Sequence, residues 1–199
     1  MTTANYSTGN DRFDSEAATW DTKLLEIGCG TGLLTIPLAQ HVGNIVALDT
    51  AQGMIGMLNA KIAQHGLEDK VKAEVKLLES ADDAVLAGER FDVVVSHLVF
   101  HHVPHMSELI KVIKGTLKRG GRIWISDLQD DGPQAEAFHP KDKHAGVERH
   151  GLKRTEMHQI LVQAGFDNVE VFESFRMDKT VESGVVQAFP FLAITGVRP

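Results

Sequence analysis

Three glycines at alternate positions follow an acidic residue near the start of the chain, in the segment Glu26-Ile27-Gly28-Cys29-Gly30-Thr31-Gly32. Residues 24–27 predict a strand and residues 33–41 a helix, so the glycines form the turn between them. Glycine tolerates positive φ angles and lets a ligand approach the main chain. The segment therefore indicates a nucleotide-like ligand, although a tight strand-to-helix turn without a ligand also explains the glycines.

The glycine spacing distinguishes between cofactor classes. The dinucleotide fingerprint is G-x-G-x-x-G, whereas the third glycine here is Gly32 and position 33 is leucine. A carboxylate at Glu26 disfavours a pyrophosphate group but suits a cationic ligand that has no phosphate. The pattern points away from NAD and towards S-adenosyl-L-methionine (SAM).

Asp49 follows a second predicted strand, residues 45–48. An acidic side chain at this position can bind both ribose hydroxyls of an adenosine. NAD enzymes carry an acidic residue at the same position, so Asp49 indicates a ligand that contains adenosine and does not distinguish SAM from NAD. The alternative is that Asp49 or Thr50 caps the helix predicted over residues 51–64.

Further segments extend this pattern along half of the chain. Residues 24–127 resemble the class I SAM-dependent methyltransferases, and are closest to the small-molecule branch that includes the ubiquinone and menaquinone enzymes. The matching segments keep the family's order and comprise residues 25–35, 46–49 with Met54, 79–82, 91–96 and 117–122.

The fold class follows from two arguments. Short apolar runs alternate with helical patterns, which predicts an α/β sheet. The resemblance implies a Rossmann-like, doubly wound sheet of seven strands, six parallel and one antiparallel. Residues 71–78 predict a strand near an edge and residues 91–96 a central strand. The last two strands, 168–175 and 188–195, should pair antiparallel because their linker is too short for a helix.

The resemblance implies SAM as the cofactor, bound at the carboxyl edge of the sheet. The residues it assigns to cofactor binding are Glu26, Gly28, Cys29, Gly30, Asp49, Thr50, Met54, Ala81, Asp82, Ser96 and His97.

Each of these residues has an expected partner on the cofactor. The glycine loop would line the methionine and the ribose, Asp49 the ribose hydroxyls, and Thr50 with Met54 the adenine. Asp82, with Ala81, would meet the adenine amino group; alternatively, Asp82 caps a short helix at residues 82–87. Ser96 and His97 would lie where the fourth strand reaches the methyl donor.

Histidines are the candidates for a general base, which is needed only if the acceptor carries a proton at neutral pH. His97, His101, His102 and His105 follow the fourth strand. No zinc-protease pattern surrounds them, so no metal is expected. The resemblance implies that His101 and His102 pack under the cofactor, and either is a candidate base.

Residues 129–151 contain few apolar side chains, which predicts a functional or mobile segment such as a lid. His139, His144 and His150 lie within it. His150 is the third candidate base, and the other two are expected at the surface.

Residues 1–22 are expected to form a truncated cap before a SAM-dependent methyltransferase domain at residues 23–199. The cap helices of the family close over SAM, and a helix-sized piece is missing between Asp21 and Lys23. Weaker closure over the cofactor, with reduced activity, is therefore expected.

The composition limits the classes of binding partner and the cellular compartment that are expected. The net charge is −7, and without a basic face no nucleic acid is expected as a partner. No apolar run approaches ~20 residues, so no membrane span is expected. The single cysteine, Cys29, and the absence of a signal peptide indicate the cytoplasm. The oligomeric state is open.

These observations predict a SAM-dependent methyltransferase that acts on a small organic acceptor. One alternative is an NAD-linked oxidoreductase, opposed by the glycine spacing, by Glu26 and by the lack of a Tyr-x-x-x-Lys pair. The other is a non-catalytic SAM-binding protein, which the short N-terminal segment favours.

Overall fold

The computed structural model describes residues 21–199. Seven strands form one sheet in the order β3-β2-β1-β4-β5-β7-β6. Their bounds are β1 Lys23–Ile27, β2 Asn44–Asp49, β3 Val71–Val75, β4 Phe91–His97, β5 Leu117–Leu128, β6 Asp167–Thr180 and β7 Val186–Val197.

Six strands share one direction. β1 to β5 pair in parallel, whereas β7 is antiparallel to both of its neighbours, β5 and β6. The predicted arrangement of six parallel strands and one antiparallel strand is confirmed, as are the antiparallel pairing of the last two strands and the edge position of β3.

Helices cover both faces of the sheet. Their bounds are α1 Thr35–Leu38, α2 Gln52–His65, α3 Met106–Thr116 and α4 Arg154–Gln163. Successive strand residues point to opposite faces, and the neighbours Leu24 and Leu25 belong to two different apolar clusters. Buried residues of α2 join the cluster of Leu24, and those of α3 and α4 join the cluster of Leu25. This two-sided core is the doubly wound architecture predicted above.

Two helices on the amino-terminal side differ from their predicted extents. The helix predicted over residues 33–41 is only Thr35–Leu38. Pro37 lacks the N–H that would bind the Leu33 carbonyl in a helix that began at residue 33. The helix predicted over residues 82–87 is one 3₁₀ turn, Ala84–Leu86, and its N-cap is Asp83, whose carboxylate accepts from the Val85 N–H at 3.0 Å. The alternative that Asp82 caps this helix is wrong.

Residues 129–151 pack against the carboxyl end of the sheet. They contain the 3₁₀ helices Pro133–Phe138 and Lys141–Lys143. Phe138 contacts the rings of Phe189 and Phe191, with centroids 5.2 and 5.9 Å away. The guanidinium of Arg149 donates to two carbonyls in the turn that follows β4, at 2.8 and 2.6 Å.

The expected truncated cap falls almost entirely on residues 1–20, which lie outside the described residues, so the boundary between cap and domain stays a prediction. Over residues 21–199, no helix is both long enough and apolar enough to cross a membrane.

The packing of α4 gives a stability prediction with a matched control. Leu161 is fully buried in the larger cluster, whereas its neighbour Val162 is 49% exposed. Leu161→Ala should lower the free energy of unfolding by about 2–5 kcal/mol because it leaves a cavity. Val162→Ala should change it by less than about 0.5 kcal/mol. Urea unfolding measures both values, and equal losses would contradict this orientation of α4.

Candidate functional site

A cavity of about 930 Å³ lies at the carboxyl ends of the parallel strands, where open α/β sheets bind their ligands. Its wall is assembled from five stretches of chain. They are residues 26–34 except Gly32, residues 48–54 in part, residues 76–79, residues 97–105 in part, and three side chains of α3, Glu108, Leu109 and Val112.

The glycine loop follows β1 and is held against the end of β2. The N–H groups of Gly28 and Cys29 both donate to the Leu48 carbonyl, at 2.8 and 3.0 Å. Gly28 has φ +71°, and a Cβ there would lie 2.2 Å from a Val99 methyl group. Only glycine fits this backbone conformation and this contact. The spacing seen in the sequence therefore reflects close packing of the main chain at the cavity wall.

Asp49 joins the glycine loop to the start of α2. Its Oδ2 accepts a hydrogen bond from Gly30 N–H at 2.8 Å, and its Oδ1 accepts one from Ala51 N–H at 2.9 Å. The N-cap of α2 is Ala51, with no side-chain hydrogen bond, so the alternative of Asp49 or Thr50 as the cap is wrong. Asp49 and Thr50 line the cavity instead.

Glu26 is a buried carboxyl group at the cavity wall, 3% exposed. Burial raises its pKa to about 7; the Thr35 hydroxyl, which donates to Oε2 at 2.6 Å, opposes this shift, and the charge of Asp49 adds to it. Burial, Glu26 and Asp49 together raise the pKa of the Cys29 thiol to about 12. Cys29 is therefore a neutral wall residue rather than a nucleophile.

The charges around the cavity favour a cation. Four acidic residues, Glu26, Asp49, Glu79 and Glu108, line it. Among the lining residues within the described part of the chain, Lys76 is the only lysine or arginine, and its ammonium is paired with Asp83 at 2.8 Å. A diphosphate would meet carboxylates and no free cation here, whereas a sulfonium and an ammonium group would be attracted.

Met54 lines the cavity, as expected, but Ala81 and Asp82 do not. The Asp82 carboxylate is 83% exposed and pairs with Arg90 at 2.5 Å. The wall at this point is formed by residues 76–79, which include Glu79. Sequence reasoning missed Glu79 because the resemblance assigned this contact to Asp82 with Ala81; Glu79 lies four residues beyond the end of β3 at Val75.

Ser96 and His97 are neighbours at the end of β4, but only His97 lines the cavity. Ser96 is buried, and its hydroxyl donates to the Ile27 carbonyl at 2.9 Å, so it ties β4 to β1 outside the cavity wall. His97 lines the cavity and stacks on Phe191 with centroids 6.0 Å apart. Burial lowers the pKa of His97, and the nearby Asp127 charge partly opposes the shift.

Of the three candidate bases, only His102 lines the cavity. His101 is 2% exposed, and its Nδ1 lies 2.7 Å from Oδ1 of the buried Asp127. His150 lies among other histidines, its ring 4.9 Å from that of His144. The structure thus brings together the glycine loop, Asp49, Thr50, Met54, His97 and His102, and places Ala81, Asp82, Ser96, His101 and His150 outside the cavity wall.

Comparisons with known proteins agree with this geometry. The family model described as methyltransferase domain matches residues 25–125. An uncharacterized methyltransferase of Schizosaccharomyces pombe is 27% identical over 82% of this chain and 60% of its own length. The mitochondrial ubiquinone biosynthesis O-methyltransferase of Mus musculus is 36% identical over 53% of this chain and 28% of its own length. The chain thus spans less than two thirds of these curated relatives.

A solved structure shares the fold. Phosphoethanolamine N-methyltransferase 2 of Haemonchus contortus, in complex with SAM, superposes with a TM-score of 0.68 at 15% identity, over 94% of this chain and 53% of that protein. The matched family region, residues 25–125, contains β1 to β4 and the loops that line the cavity. On this evidence the chain belongs to the class I SAM-dependent methyltransferase family.

Proposed function

We propose that this chain transfers a methyl group from SAM to a small organic acceptor. The observation that carries the proposal is the cavity at the strand ends, in which a glycine loop and four acidic residues meet and, within residues 21–199, no free lysine or arginine lines the wall. The family membership supports methyl transfer, and the names of the relatives support a small acceptor.

The residues at the wall fit SAM by their chemistry. Glu26 would face the cationic methionine portion, and the main chain of Gly28, Cys29 and Gly30 would lie along the methionine and ribose. Each Asp49 oxygen accepts one N–H and has a second lone pair for a ribose hydroxyl.

The adenine end is assigned on the same grounds. Thr50 and Met54 would lie beside the ring, and Glu79 would take the role first assigned to Asp82 with Ala81, because Glu79 lines the cavity and Asp82 does not. Ser96 would act indirectly, by joining β4 to β1.

Bound SAM supplies an electrophilic methyl group on a sulfonium centre that needs no activation by the protein. The chain must therefore hold the acceptor close and exclude water, and orientation of this kind lowers a barrier by ~7–11 kcal/mol. His97 lines the acceptor end, and its lowered pKa leaves it neutral at pH 7. In the proposal it takes the proton of a hydroxyl acceptor. His101 and His150 lie outside the wall and have no part in this step.

The cytoplasmic location rests on the single cysteine and on the sequence of the N-terminal segment, and it stays a prediction. So does the expectation that no nucleic acid is bound.

Methyl transfer is tested with two matched substitutions. Labelled methyl-SAM is incubated with phenols, catechols and carboxylic acids, and label in the extracted product is counted. In Asp49→Asn the amide can accept only one of the two N–H groups that the carboxylate now binds, so the KM for SAM should rise about 10-fold or more. Asp82→Asn, at an exposed ion pair, should leave the KM within about 2-fold.

Transfer of label to one of these acceptors, with that difference between the variants, is the expected outcome. Label that binds to the protein and reaches no acceptor would support the non-catalytic alternative. Equal effects of the two substitutions would contradict the assignment of Asp49.

Glu26 makes stability depend on pH. Its pKa of about 7 in the folded protein lies above the ordinary 4.5, so the native state binds more protons than the unfolded state between these values. Stability should therefore fall as the pH rises from about 4.5 to about 7, by on the order of 3 kcal/mol from this group.

Glu26→Gln isolates this effect. The half-buried His139, whose pKa burial lowers to about 4, titrates with the opposite sign, but it does so in both proteins. Urea unfolding at pH 5 and pH 7.5 should show that the variant gains stability relative to the wild type at the higher pH. An unchanged difference between the two proteins would contradict the burial of an ionisable carboxyl group here.

A further inference from the structure

Three histidines from two distant segments of the sequence lie close together beside the cavity. His101 and His102 belong to the 3₁₀ helix Phe100–His102 that follows β4, and His139 follows the 3₁₀ helix Pro133–Phe138. The ring of His101 lies 4.0 Å from that of His102 and 5.0 Å from that of His139. One ligand nitrogen from each residue lies within 4.8 Å of those of the other two. We call these three residues the histidine cluster.

His101 is held in one tautomer. Its Nδ1 lies 2.7 Å from Oδ1 of Asp127, and both side chains are at most 2% exposed. The Asp127 carboxylate also accepts the main-chain N–H groups of His101 and Leu128, at 3.2 and 2.7 Å. Because the carboxylate oxygens act as hydrogen-bond acceptors here, the ring proton of His101 is assigned to Nδ1. Nε2 of His101 therefore carries a lone pair, and this buried atom has no partner.

His102 and His139 complete the arrangement. Nδ1 of His102 donates to the Gly146 carbonyl at 2.6 Å, which leaves Nε2 with its lone pair. Nδ1 of His139 is buried and has no partner.

We propose that the histidine cluster binds one divalent transition-metal ion of the zinc class. Neutral imidazoles are ligands for zinc, copper, iron and nickel, whereas magnesium and calcium prefer oxygen. Zinc–nitrogen bonds of about 2.0–2.1 Å place the nitrogens of a tetrahedral site about 3.4 Å apart. The ligand nitrogens of the histidine cluster, within 4.8 Å of one another, would have to move closer together on binding.

The hydrogen bonds behind the rings support this assignment. Metal-binding histidines commonly donate their other N–H to a carboxylate or to a main-chain carbonyl. His101 does so to Asp127, and His102 to Gly146.

A second group, Glu136, His144 and His150, also has its ligand atoms within 4.8 Å of one another. Glu136 is exposed and lies 3.9 Å from Nδ1 of His144. Within residues 21–199 the His150 ring has no hydrogen bond to a carboxylate or a carbonyl, so the rings of the histidine cluster are better oriented for a metal ion.

An ion in the histidine cluster would join residues 129–151 to the end of β4. Because His102 also lines the cavity, the ion would lie at the cavity wall, and three protein ligands leave one coordination position open. The inference does not depend on methyl transfer.

The test uses the full chain after dialysis against a chelator, with ZnCl₂ alone as the calorimetric titrant and MgCl₂ as the control. One equivalent of zinc should bind with micromolar or tighter affinity, and magnesium should not bind. His102→Ala and His139→Ala should each weaken zinc binding by about 10- to 100-fold. His158→Ala, at an exposed histidine of α4, should leave it unchanged.

Two further measurements distinguish metal binding at the histidine cluster from metal binding at other histidines. Cobalt(II) in place of zinc should give the visible absorption bands of a tetrahedral site, and both cluster variants should lose them. Zinc should also protect residues 129–151 from proteolysis. Because the His102 ring is exposed, His102→Ala will fold even if His139→Ala does not. Absence of saturable binding, equal affinity in wild type and His102→Ala, or a loss confined to His150→Ala would overturn the proposal.

Discussion

The carboxylate of Asp49 holds together the two loops that form the ligand cavity. One oxygen binds Gly30 in the glycine loop, and the other binds Ala51 ahead of α2. The parallel pairing of β1 with β2 brings these loops side by side, and the Leu48 carbonyl fixes the glycine loop from the same side. Asp49 can act in this way because the apolar cores on both faces of the sheet set the relative position of the two strands.

The same end of the sheet concentrates negative charge in a poorly solvated place. Burial of Glu26 near Asp49 raises the pKa of Glu26 to about 7, an unfavourable arrangement for the protein alone. Groups with pKa values shifted in this way cluster at functional sites. A cationic ligand would relieve the repulsion between the two carboxyl groups, whereas a diphosphate would increase it. The electrostatic strain and the proposed cofactor are therefore consistent with each other.

The central part of the fold was predictable because its signals are local. The apolar run of β4 and the glycine turn after β1 are each set by adjacent residues, and both lie where the sequence predicts them. Alternation along a strand is equally local, yet the resemblance assigned both Ser96 and His97 to the cofactor. Neighbouring strand residues face opposite sides, so only His97 lines the cavity.

Other parts of the site could not be predicted. The resemblance assigned the acidic contact to Asp82, whereas Glu79 lines the cavity and Asp82 is exposed, because the course of the chain after β3 depends on long-range packing. His139 reaches His101 from a segment without periodicity, and sequence spacing alone gave no reason to expect a metal site. Asp127, which orients His101, looked like an ordinary residue at the end of β5.

The central claim is that the cavity binds SAM rather than a dinucleotide. The most direct test is a calorimetric titration of the purified chain with S-adenosylhomocysteine, with NADH as the parallel control. The account predicts micromolar binding of S-adenosylhomocysteine at one site and no heat from NADH. Binding of NADH without binding of S-adenosylhomocysteine would contradict it.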